Sequence, residues 1–105
     1  MTIKKLNEVM RNPRLYAQTK ALYSYLYVRA DHKSNKSYPP KNQILNELNL
    51  TDKLFTQGLA VLEKQGYIKQ EKAEGINNDT NEKYYYTIYT LLESPINEVQ
   101  YEKTI

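Results

Sequence analysis

The chain has no cysteine, no tryptophan, one histidine and three glycines in 105 residues. Without cysteine there is no disulfide framework, no thiol nucleophile and no thiolate metal site. His32 alone excludes a multi-histidine metal site within one subunit. Gly58, Gly66 and Gly75 are too scattered to cradle a phosphate. No apolar run approaches the roughly 20 residues that cross a bilayer, and MTIKKLNEVMRN lacks the apolar stretch of a signal peptide. The acids fall in segments that read as surface or loop, and no pair has a spacing that demands a shared site. The expectation is a cytoplasmic protein away from membranes, with no catalytic residues, no metal and no cofactor.

Charge and tyrosine are what the chain does have. Residues 1–72 carry 13 Lys+Arg against 6 Asp+Glu, a balance of +7, whereas residues 73–105 carry 2 against 6, a balance of −4. A basic body suits a polyanionic partner, although a solvated surface also accounts for it. Eleven tyrosines stand beside one phenylalanine. A tyrosine buries its ring while its hydroxyl still needs a partner, which favours cores near a surface, interfaces and phosphate contacts.

Along the chain, residues 1–12 space Ile3, Leu6, Val9 and Met10 as an N-terminal arm or short helix. Lys4, Lys5, Arg11 and Arg14 make that end basic. Asn12-Pro13 reads as the N-cap and first position of a long helix running to about Ala30. Its inward stripe is Leu15, Leu22, Tyr25 and Leu26, flanked by Tyr16, Tyr23 and Tyr27. The opposite face carries Ala17, Ala21 and Val28 instead of charge, so either a partner covers it, as in a homodimer, or small residues are tolerated there.

Asp31–Ser37 is a polar loop, with a short edge strand expected at 36–38. A helix follows from about Pro40 to Leu48 with Ile44, Leu45 and Leu48 inward, then a turn at Asn49-Leu50. Thr51 caps the next helix, which runs to Gln65 and is stopped by Gly66 as a left-handed residue. Phe55, Leu59 and Leu62 should face the core, Gly58 should permit close approach, and Lys53, Thr56, Gln57, Ala60 and Lys64 should look outward. Residues 67–72 and 84–90 read as two strands of a hairpin, joined by a turn-rich connection at 73–83.

Three segments carry a family resemblance: LYAQTKALYSYLYVRA, then YPPKNQILNELNLTDKLFTQGLAVLEKQGYI, then YYYTIY. Together they resemble the winged helix-turn-helix family, in particular the small domains of plasmid replication initiators and of phage replication or regulatory proteins. The resemblance covers about residues 13–90 and leaves 91–105 as a C-terminal tail. It implies an α+β, mainly α fold, a three-helix core plus a β-hairpin wing. It also implies that the helix Thr51–Gln65 enters the major groove of double-stranded DNA while the hairpin touches backbone or minor groove.

This chain departs from the family pattern in three places. Positions 52–57 are Asp-Lys-Leu-Phe-Thr-Gln, with one base, one acid and no arginine to read guanine. Lys72 and Lys83 are opposed by Glu74, Asp79 and Glu82 in the wing, and Pro40 replaces the usual serine at the second helix's cap.

The expected function is therefore sequence-specific binding of duplex DNA by a dimeric protein of a mobile genetic element, in transcription, replication or segregation control. Gln57 suits adenine and Thr56 a thymine methyl, favouring A·T-rich sites. The expected DNA-binding set is Lys36, Lys41, Asn42, Thr51, Lys53, Thr56, Gln57, Ala60, Lys64, Lys69, Asn77 and Asn78, with the dimer interface at Ala17, Ala21 and Val28. The alternative is a protein–protein interaction module that has kept the fold without reading DNA. A further option is the N-terminal domain of a longer initiator.

Overall fold

Four helices and a three-stranded antiparallel sheet make up the α+β domain seen in the computed structural model, which describes residues 3–92. The order is α1 (Ile3–Arg11), α2 (Ala17–Val28), β1 (Lys36–Ser37), α3 (Lys41–Leu48), α4 (Asp52–Lys64), β2 (Ile68–Ile76) and β3 (Lys83–Leu91). The sheet order is β1-β3-β2. One core runs through all of it: Val9 from α1, Leu22, Tyr23 and Leu26 from α2, Ile44 from α3, Leu62 from α4, and Ile68 and Leu91 from the sheet are essentially inaccessible. Among the described residues no helix is long and apolar enough to cross a membrane.

Of the two readings of the N-terminal segment, arm or short helix, the structure shows the helix, packed on the body. α1 buries Val9 against α2, and Lys5, expected in a basic arm, is itself buried and paired with Glu8 at 2.9 Å. The second helix also starts later than its sequence suggests. Asn12 does not cap it. Its Oδ1 accepts the Arg14 N–H at 2.9 Å, closing a local turn, while its Nδ2 donates to Gln65 Oε1 and Tyr67 Oη, both at 3.1 Å. An asparagine committed to the end of α4 cannot also serve a helix start. α2 therefore begins at Ala17, with an extended Tyr16 as N-cap and no side-chain cap, and ends at Val28.

The α3–turn–α4 unit follows its local signals closely. Asn49 adopts the left-handed conformation (φ 54°, ψ 46°) that reverses the chain after α3. Thr51 Oγ1 accepts the Leu54 N–H at 3.2 Å, satisfying one of the free donors at the start of α4. Phe55, Leu59 and Leu62 are buried. A Cβ on Gly58 would lie 3.1 Å from Leu22 Cδ2 and 3.6 Å from Thr19 Oγ1, so the missing side chain is what lets α4 approach α2.

The expected turn-rich connection at 73–83 is shorter than its composition implies. β2 continues to Ile76 and β3 starts at Lys83, with Ala73↔Tyr86, Glu74↔Tyr85, Gly75↔Tyr84 and Ile76↔Lys83 paired. Gly75 is tolerated inside the strand because the Tyr84 ring lies across it, replacing the side-chain packing that glycine lacks. The reversal is made by Asn77, whose Oδ1 accepts the Asp79 N–H at 2.9 Å, and by Asn81 at φ 60°. The short edge strand before Tyr38 is present as β1, with Lys36↔Thr90 and Ser37↔Tyr89. Nearly all of the C-terminal tail expected at 91–105 lies outside the described residues.

Candidate functional site

Helical spacing puts Lys53, Thr56, Gln57, Ala60 and Lys64 on one side of α4, and all five are exposed. The two lysines are about 16 Å apart along the axis at 1.5 Å per residue, with Thr56, Gln57 and Ala60 between them and the exposed Glu63 flanking Thr56 and Ala60. This is the only part of the expected binding set that forms a continuous surface on one element.

At the start of α4 the electrostatics differ from expectation. Lys41 Nζ forms an ion pair with Asp52 and lies 5.7 Å from the Phe55 ring centroid. Lys41 is thus tied to an acid, not presented alone, and the pair clasps the first turns of α3 and α4 together. Both side chains are more than half exposed, so the pair contributes little to stability and a phosphate can replace the carboxylate. Asn42 is exposed one residue further on. Thr51 is exposed too, although its oxygen is already used as the cap acceptor.

Between α4 and the sheet lies an open groove of about 880 Å³. Thr56, Ala60 and Glu63 line its helix side, Gln70, Lys72, Tyr84, Tyr85, Tyr86, Thr87 and Tyr89 its sheet side, and Tyr38-Pro39-Pro40 close one end. Glu63 Oε2 also accepts the Gln70 N–H at 3.2 Å, linking the end of α4 to the open edge of β2. Burial raises the Tyr89 phenol above its ordinary range, partly offset by its hydrogen bond with Thr87, so it stays neutral at physiological pH.

The remaining expected contacts do not converge on α4. Strand side chains alternate between faces, and the register places Lys69 opposite Thr90, on the face away from Tyr89 and the core. Lys69 also has Glu71 at 3.9 Å. The wing lysine that shares the groove with α4 is Lys72, within 3.4 Å of Thr87 Oγ1. Register cannot be read from β2 alone, so counting charges in the sequence could not tell Lys69 from Lys72. Asn77 and Asn78 are exposed at the hairpin tip, with the Asn77 side chain engaged in building the turn.

Lys36 does sit beside the start of α3, lining a shallow depression with Arg29, Pro40 and Gln43. That corner is braced by a network the sequence did not suggest. The Tyr25 hydroxyl donates to Glu47 Oε2 at 2.7 Å and accepts from Gln43 Nε2 at 3.0 Å. Arg29 pairs with Glu47 at 3.2 Å and covers the Tyr25 ring at 3.6 Å. Desolvation, and then the Glu47 carboxylate, push the Tyr25 phenol upward, so it remains a donor at neutral pH and holds α3 to α2.

The face given to a dimer is partly covered from within. Lys20 Nζ donates to the Met10 carbonyl at 2.8 Å and Ser24 Oγ lies 3.5 Å from Met10 Sδ, so α1 crosses the middle of that face. Ala21 is half-buried there, whereas Ala17 is exposed and Val28 is 73% exposed.

No protein-family model matches the chain, and no curated protein matches it in sequence.

Proposed function

We propose that the chain is a winged helix-turn-helix protein of a mobile genetic element that binds duplex DNA in the cytoplasm, with α4 in the major groove and the β2–β3 hairpin as its wing. The observation that carries this reading is the Thr51-capped α4, held on α3 by a tight turn and presenting Lys53, Thr56, Gln57, Ala60 and Lys64 to solvent. The order α2-β1-α3-α4-β2-β3 is compatible with the fold, and α1 is an addition to it. In this reading Lys53 and Lys64 hold phosphates on either side of a reading surface made by Thr56, Gln57 and Ala60, with Glu63 at its flank. Lys72 faces a strand lying along the groove, and Lys36 with Lys41 meets phosphate at the start of α3, where free amides favour an anion. Gln57 and Thr56 favour A·T pairs.

Gln57→Ala should weaken a site selected from a random duplex pool by about 1–3 kcal/mol and relax preference at one base pair. Fluorescence anisotropy on the selected and a scrambled duplex measures both. Equal binding of variant and wild type to the selected duplex overturns the assignment of Gln57.

An interaction module without groove reading is the second reading, and the aromatic lining of the groove beside the neutralised Lys41 favours it. Absence of duplex binding even at low salt would select it. Homodimerisation through the exposed ends of the α2 face is part of the first reading. Val28→Glu tests it better than a change at half-buried Ala21, because it leaves the packing of α1 intact. Sedimentation should shift from dimer to monomer; an unchanged dimer places the contact elsewhere.

A further inference from the structure

The face of the hairpin turned away from the core has a composition that duplex reading by α4 leaves unused. Alternation along the paired strands puts Tyr84, Tyr86, Ile88 and Thr90 of β3 on it, with Gly75, Ala73, Glu71 and Lys69 opposite them on β2. Lys36 on β1 joins the same row as Thr90 and Lys69. Three tyrosine rings neighbour one another in turn along the hairpin, with Tyr38 joining from just beyond β1. Tyr84 and Tyr86 have centroids 6.0 Å apart, and Tyr86 and Tyr38 6.2 Å apart. Tyr38 is 61% and Tyr84 52% exposed.

The disposition of Tyr84 is the telling detail. A Cβ built on Gly75 would fall 2.2–2.6 Å from three atoms of the Tyr84 side chain, so the ring lies flat on the glycine backbone. The ring is set against Gly75 on one side and still keeps half of its surface open. A ring displayed in this way is a surface on which a planar heterocycle can stack. Lys36 and Lys69 stand at the β1 end of the hairpin, where they suit phosphates; the single acid on the face, Glu71, is 3.9 Å from Lys69 and is offset by it.

We propose that these tyrosines form a stacking platform for unpaired bases, a site for single-stranded DNA or RNA that uses the hairpin rings and not the outward residues of α4. The ring spacing exceeds the roughly 3.4 Å rise of stacked bases in a duplex strand, so the bases must be splayed, which only an unpaired strand permits. Each exposed ring takes a base without regard to identity, and the lysines neutralise the connecting phosphates. The site goes beyond duplex reading and does not depend on it, because its contacts are aromatic rings and not the outward residues of α4; the two surfaces meet at the groove, which Tyr38, Tyr84 and Tyr86 also line.

The test uses the whole chain and anisotropy of labelled oligothymidine, oligouridine and a random-sequence duplex at two salt concentrations. Tyr84→Leu with Tyr86→Leu keeps apolar cover on the strands but removes the π-faces, and should weaken single-strand binding at least about 10-fold. Duplex binding should fall by less than single-strand binding, because the outward residues Lys53, Thr56, Gln57 and Lys64 of α4 are untouched. Tyr85→Leu is the internal control, since Tyr85 is 67% exposed but lies on the opposite face; it should leave single-strand affinity as it was. Comparing the two oligonucleotides tells DNA from RNA.

Absence of single-strand binding at low salt overturns the proposal, as does an equal loss in all tyrosine variants. It is also overturned if Tyr84→Leu with Tyr86→Leu changes only the sedimentation of the free protein, for then the face serves a second copy of the chain. Failure of duplex binding with single-strand binding intact would sink the α4 reading and leave this one standing.

Discussion

Replacing Leu22 by alanine should cost about 3 kcal/mol of folding stability and lower the melting temperature by roughly 12–18 °C. Leu22 is completely buried, and its Cδ2 approaches within 3.1 Å of where a Cβ on Gly58 would be. It is the side chain that fills the space α4 leaves by having glycine at this point. Removing it opens a cavity at the closest approach of α2 and α4, and neither helix can collapse into it without dislodging Phe55, Leu59 or Leu62. The pairing with Gly58 supplies a second measurement. Gly58→Ala alone gains helix propensity, about 1 kcal/mol, but presses on Leu22. In the Leu22→Ala background the pressure is gone, so the same substitution should stabilise by more than it does in the wild type. Chemical denaturation of the four proteins decides this. A cost for Leu22→Ala below about 1 kcal/mol would mean that the contact does not set the helix spacing.

The second large effect concerns the ends of the exposed α4 stripe. Lys53→Glu combined with Lys64→Glu should lower duplex affinity on the order of 60-fold at 0.1 M salt and reduce the slope of log K against log salt by about 2. Each lysine stands for one released counterion, and its loss removes nearly one power of the salt concentration. Both side chains are exposed, so the fold should be unaffected. The same reversal at Lys69, on the other face of the sheet, should leave the duplex slope unchanged. An unaltered slope for the double variant would show that phosphates do not lie along this side of α4.

Much of the fold was legible because its signals are local. Thr51 caps a helix through its own next turn, Gly66 (φ 83°) ends that helix because it tolerates a left-handed backbone, and the spacing of Phe55, Leu59 and Leu62 selects one face. The misreadings arose where a residue's local role lost to a distant partner. Asn12 has the chemistry of an N-cap, yet Gln65 and Tyr67, more than fifty positions away, claim its side chain. Gly75 reads as a turn residue until Tyr84 is laid across it. Lys5 reads as a solvated base until α1 docks on α2 and buries it.

The candidate site divides in the same way. The sequence by itself determined the two helices and the turn between them within Tyr38–Ile68, and the outward set on α4, since a 3.6-residue period assigns faces within a single helix. Only the tertiary structure decided which lysines join that set. Lys41 is held by Asp52, Lys69 is turned away, and Lys72 lines the groove. It also decided that tyrosines scattered from position 38 to 86 come together, Tyr38 beside Tyr86 and Tyr86 beside Tyr84. The physical reason is that strand register and helix docking are properties of pairs of segments. A change of one residue in register exchanges the two faces of a strand, and nothing within either segment alone records which choice the packed core enforces.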